Sequence, residues 1–77
     1  YIEKIEEALT HMGEAIHKNI RKVDVCTRYS AMQYLIILSQ PTEAEIPNIM
    51  TRIFIQYYKL QDSQNFTPTY EYITMKD

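Results

Sequence analysis

Apolar residues recur at Ile2, Ile5, Ala8, Leu9, Met12, Ala15, Ile16 and Ile20. Steps of three and four residues put them on one stripe, so the spacing predicts an amphipathic helix from Ile2 to Ile20. Glu3, Glu6 and Glu7 lie near its start and Lys18, Arg21 and Lys22 near its end, an order that suits the helix dipole. Gly13 weakens the middle of this helix; it either lets another element approach or is an ordinary surface glycine. From Val23 to Tyr29 the period changes to two, with Val23, Val25, Thr27 and Tyr29 on one face. Tyr34 to Leu38 is continuously apolar, which predicts the most buried strand, covered on both faces. The short gap Ser30 to Gln33 makes the two runs a hairpin. The usual Asn-Gly or Gly-Gly turn pair is missing, so the turn type stays open.

Gln40-Pro41-Thr42 ends the second run, and Thr42 with Glu45 has capping-box spacing. Ile46, Ile49, Met50, Ile53, Phe54 and Tyr57 form a second helical stripe, closed by Leu60. Pro47 requires this helix to start near Ile46 or to open with an irregular turn. Gln61 to Asn65 reads as a polar loop. Pro68 to Met75 alternates again and predicts a third strand, with Pro68 at its start. The expected fold is α+β: helix, strand, strand, helix, strand, with an antiparallel sheet covered by amphipathic helices.

With 77 residues the chain is one domain, residues 1–77, and buries only about 60% of its unfolded surface. An apolar share of 45%, with seven Tyr and two Phe, suffices for one core and is unlike a disordered segment. A net charge of −2 argues against a nucleic-acid partner. The single cysteine, Cys26, excludes an internal disulfide and reads as a small hydrophobe. No run is long enough to span a bilayer and no signal segment opens the chain, so the expectation is a reducing cytoplasm and no membrane partner. Tyr1 already lies inside the helical pattern, which points to a segment of a longer protein.

Candidate chemistry is sparse. His11, Glu14 and His17 spread over about 120° of helix surface, too wide for a compact metal site. Phe54, Tyr57, Tyr58, Tyr70 and Tyr72 read as core and core rim, with tyrosine hydroxyls reaching water, rather than as a nucleotide-stacking surface. No Ser-His-Asp, Cys-His or glycine-rich phosphate loop is present. No cofactor and no metal are expected.

The order Arg21-x-x-Asp24, then Arg28-Tyr29, a turn, an apolar strand and Met50-Thr51-Arg52-Ile53 resembles the centre of a GGDEF domain, the bacterial diguanylate cyclase module. The resemblance runs without a gap from about Ala8 to Arg52. Where that family carries Gly-Gly-Asp/Glu-Glu-Phe, this chain has Ser30-Ala31-Met32-Gln33-Tyr34. Ser30 and Ala31 add a β-carbon where the family's glycines let the backbone approach phosphate. Met32 and Gln33 offer a thioether and a neutral amide where carboxylates serve magnesium. Phosphoryl transfer relies on that metal for charge neutralisation and positioning. The resemblance therefore implies a non-enzyme. The Gly-Asp common at the start of the first helix is replaced by Ile5-Glu6, and the family's preceding strand, with its metal-binding Asp, would lie before Tyr1.

The resemblance further implies a catalytically inactive regulatory or sensory module of a bacterial signalling or transcription-regulating protein, partnered by other domains of the same protein or by a second copy. The family's allosteric site binds cyclic di-GMP through the Arg-x-x-Asp step, and Arg21, Asp24 and Arg52 fall at its places. Arginine can fork onto guanine or phosphate, and aspartate can accept from the guanine amino edge. The structural alternative has Arg21 at the helix C-terminus and Asp24 starting a strand on the surface. A third reading is a structural or dimerisation fragment whose sheet another segment completes.

Overall fold

A computed structural model describes residues 2–60 and 66–75. Four elements follow in order: α1 (Ile2–Asn19), β1 (Val25–Ser30), β2 (Gln33–Ile37) and α2 (Glu45–Leu60). The fold is a small α+β unit in which the hairpin β1-β2 forms a two-stranded antiparallel sheet. No described helix is long and apolar enough to cross a membrane.

Each helix forms where its periodicity predicts. The stripe of α1 buries Ala8, Ala15 and Ile16, and that of α2 buries Ile49, Ile53 and Tyr57; together these six side chains are the core. Asn19 closes α1 by donating from Nδ2 to the Ala15 carbonyl at 2.8 Å, satisfying one of the acceptors a helix end leaves free. At the start of α2, the Glu45 N–H donates to the Thr42 carbonyl at 3.1 Å and to Thr42 Oγ1 at 3.3 Å. This is the irregular opening turn that Pro47 requires. Pro47 itself falls in the first turn of α2, where a missing N–H forfeits no helical bond.

The hairpin turns at Ala31-Met32, inside the expected Ser30–Gln33 window. Its register pairs Val25 with Ile37, Thr27 with Leu35 and Arg28 with Tyr34, then skips Tyr29 to pair Ser30 with Gln33. That β-bulge twists the strand locally. No described residue of the turn has a positive φ, so it needs neither the glycines nor the asparagine of a primed two-residue turn.

Two expectations are corrected. The helices cover only one side of the hairpin: Cys26, Tyr34, Ile36 and Leu38 pack on the core, whereas Leu35 and Ile37 stay 43% and 41% exposed. β2 is thus half-buried rather than covered on both faces, because a two-stranded sheet with helices on one side leaves the alternate residues in water. The β1 face that carries Val25, Thr27 and Tyr29 also turns away from the helices. The second correction concerns Pro68 to Met75, which forms no strand. A strand exists only through a ladder, and among the described residues the sheet holds β1 and β2 alone. The segment docks by side chains instead: Phe66 packs on the core, and Tyr70 meets Phe54 edge-on at 5.9 Å. The predicted loop Gln61 to Asn65 lies outside the described residues.

Gly13 is buried, and the reason is close approach. Tyr34 reaches from β2 across α1 and donates its hydroxyl to the Leu9 carbonyl at 2.7 Å. A β-carbon at residue 13 would sit 2.8 Å from that hydroxyl oxygen. Alanine in a helix interior is favoured over glycine by about 1 kcal/mol, and a hydrogen bond contributes about the same. Gly13→Ala is therefore expected to be neutral or destabilising in the native sequence. It should become stabilising, by up to about 1 kcal/mol, in a Tyr34→Phe background where the clashing oxygen is gone. Urea unfolding of the four proteins in this cycle measures the coupling; additive effects would show that Gly13 does not serve the Tyr34 contact.

Candidate functional site

The residues between α1 and β1 form a tight turn, with the Asp24 N–H donating to the Arg21 carbonyl at 3.0 Å. The turn points the Asp24 side chain inward. Asp24 is the buried charged residue of the described chain, with its carboxylate almost inaccessible. This replaces the expectation that the structural role of Asp24 is to start a strand on the surface. The carboxylate accepts four hydrogen bonds. Oδ2 takes the Arg21 backbone N–H at 2.8 Å and Arg21 Nε at 3.3 Å. Oδ1 takes Arg21 Nη2 at 3.2 Å and the Ser39 N–H at 2.9 Å. Arg21 Nη2 also donates to the Ser39 carbonyl. One carboxylate and one guanidinium thus tie the end of α1 to the chain just past β2.

Ser39 is held in place by both of its backbone polar groups, and the next residue shows the consequence. Gln40 has φ 51°, the left-handed region, which disfavours a residue with a β-carbon by about 1–2 kcal/mol. Such a conformation persists when its surroundings over-determine it, and here the Asp24 and Arg21 bonds to Ser39 do so.

Burial alone would push the Asp24 carboxyl up. The Ser39 N–H, the Arg21 side chain, the Arg21 N–H and the Arg21 charge outweigh it and hold the group below its ordinary value. Burial raises the Cys26 thiol, which therefore carries no activated thiolate.

Beside this knot lies a cavity of about 240 Å³. Arg21, Asp24 and Arg52 all line it, so the fold brings the three sequence-derived candidates to one place. They are not equivalent there. The Arg21 side chain is 56% exposed and presents its outer edge, and Arg52 is exposed; the Asp24 carboxylate has its acceptors turned to Arg21 and Ser39. Asn19, Glu45 and Asn48 complete the polar lining. Sequence reading missed them, although Glu45, Asn48 and Arg52 share one side of α2 through steps of three and four residues.

The turn Ser30-Ala31-Met32-Gln33-Tyr34 is a separate, self-contained unit at the far end of the hairpin. Ser30 Oγ donates to Gln33 Oε1 at 2.7 Å and receives the Met32 N–H at 3.4 Å. Arg28 donates from Nε to the Ser30 carbonyl at 3.2 Å and from Nη2 to the Ala31 carbonyl at 2.7 Å. Its guanidinium also lies over the Tyr34 ring, 5.5 Å from the centroid. The turn carbonyls thus face a cation of their own chain. Among the described residues no three His, Cys, Asp or Glu side chains group so as to hold a metal ion.

The aromatic residues belong to the core and its rim. Tyr57 is buried, and burial, then the neighbouring Tyr58, raise its phenol. Its hydroxyl donates to the Phe66 carbonyl at 3.1 Å instead of reaching water as expected. No family model, no curated protein and no solved structure matches this chain.

The state of Asp24 sets a pH dependence. Its carboxyl is depressed in the folded chain relative to about 3.9 when unfolded. The stability it contributes is complete above that unfolded value and is lost as pH falls through the lower folded value. Asp24→Asn should destabilise the chain by about 2 kcal/mol at pH 7, since it removes hydrogen bonds to a charged acceptor. The gap to the native chain should narrow below about pH 4, where the native carboxyl protonates. Denaturant midpoints from pH 7 to pH 2.5 follow this, and parallel curves for the two proteins would contradict it.

Proposed function

We propose that this chain is a catalytically inactive, GGDEF-like regulatory module of a bacterial signalling or transcription-regulating protein, working in the cytoplasm by protein interaction. The observation that supports this reading best is the uncovered side of the hairpin. Val25, Tyr29, Leu35 and Ile37 present a contiguous apolar surface opposite the helices. Contiguous exposed apolar surface of this kind marks interaction sites. Inactivity as a cyclase follows from the turn chemistry. Met32 and Gln33 give magnesium no carboxylate, and the Ser30 and Ala31 carbonyls already receive Arg28.

A second reading, a cyclic di-GMP receptor, has one observation in its favour: Arg21 and Arg52 line the same cavity. Against it, Asp24 has no acceptor free for a guanine amino edge, because all four of its hydrogen bonds are internal. Glu45 on the cavity wall adds a charge that repels phosphate.

Two measurements separate the readings. Calorimetric titration with cyclic di-GMP is expected to give no heat. Binding that disappears in both Arg21→Ala and Arg52→Ala would establish the receptor reading in its place. Incubation with GTP and magnesium is expected to give no product above a no-enzyme control. For the interaction reading itself, a photo-crosslinking residue at Tyr29 in cells should give a discrete adduct that the same probe at Glu14, on the outer side of α1, does not. Equal yields from both positions, or none from Tyr29, would count against a hairpin docking surface.

A further inference from the structure

The hairpin has two outer edges, and they differ in kind. The outer edge of β1 carries the bulge at Tyr29 and the charge of Arg28. Bulges and charged side chains keep edge strands from accepting another strand. β2 has neither device. From Gln33 to Leu38 the chain reads Gln-Tyr-Leu-Ile-Ile-Leu, with no charge and no proline, and its ladder to β1 is regular from Tyr34 to Ile37. A strand offers N–H and C=O groups on both sides, and among the described residues only β1 pairs with β2. The edge is therefore an open template of five residues, flanked on the helix-free side by the exposed Leu35 and Ile37.

Charge decides which strand fits it. In a twofold antiparallel pairing, each strand meets its own copy. With Leu35 on the axis, Leu35 faces Leu35 of the second copy, Gln33 faces Ile37, and Tyr34 faces Ile36. Like charges placed directly opposite destabilise such a pair, and β2 supplies none. The corresponding pairing of β1 would break at its bulge and bring two arginines towards each other. A net charge of −2 adds little repulsion between whole chains. Building on the interaction reading above, we infer that the partner at this edge is a second copy of the chain, joined β2 to β2 in an antiparallel four-stranded sheet ordered β1-β2-β2-β1. The apolar residues of both hairpins then form one continuous face. A five-residue edge falls short of the roughly 800 Å² per partner of a tight complex, so the dimer is weak and concentration-dependent.

The test is a dilution series of the 77-residue chain up to about 1 mM by sedimentation equilibrium, with amide hydrogen exchange at both ends of the series. The expected result is reversible dimerisation in which alternate amides of Gln33–Ile37, those not bonded to β1, slow as concentration rises, while the amides of β1 do not change. Leu35→Lys should weaken the dimer by about tenfold, because it puts like charges on the axis. Thr27→Lys, on the same face but on the inner partner strand, should leave it nearly unchanged. Helical circular dichroism checks that both variants fold. A chain monomeric throughout the series overturns the inference and leaves the photo-crosslinking test of the wider reading untouched. A dimer without slowed β2 amides, or one weakened equally by both lysines, overturns it too, since both point to stacking of apolar faces.

Discussion

The structure depends on one buried carboxylate. Asp24 sits where α1 ends and β1 begins, and its two oxygens accept hydrogen bonds from Arg21 on one side and Ser39 on the other. An aspartate removed from water without partners would be very unfavourable, and one with four donors is held ionised. The consequence is geometric. The end of the first helix, the start of the first strand and the exit from the second strand are fixed to a single point. The left-handed Gln40 shows that the chain accepts backbone strain to keep that point intact.

From this anchor the hairpin is aimed so that Tyr34 crosses to α1 and Cys26, Ile36 and Leu38 meet the core. The helices then supply the rest of the core through Ile16 and Ile53, both nearly inaccessible. Because both helices lie on one side, the opposite side of the hairpin has no cover. Function, on the reading advanced here, follows from that asymmetry. The side that holds the fold together is closed and internally satisfied, and the side free to act is apolar.

Much of this fold was legible from local pattern. The stripes of α1 and α2 fix their own faces because a helix repeats within a few residues, and the Thr42–Glu45 spacing marks the opening turn of α2. Features that depend on distant partners were not. The unbroken run Tyr34 to Leu38 declares an apolar strand but not how many of its faces are covered. Tyr70 to Met75 alternates as a strand does, yet alternation supplies no ladder. Arg21, Asp24 and Arg52 could be grouped from the resemblance. The burial of Asp24 could not, because the donors that permit it include Ser39, fifteen residues away. Gly13 was ambiguous for the same reason, since the hydroxyl it admits comes from β2.

The most direct measurement of the central claim is an NMR titration of the Asp24 carboxyl carbon together with the amide resonances of Arg21 and Ser39. If Asp24 is the anchor, all three signals shift with one midpoint, below the value of about 3.9 for a free aspartate. An Asp24 carbon that titrates at the ordinary value, with a Ser39 amide that does not respond, would contradict the account.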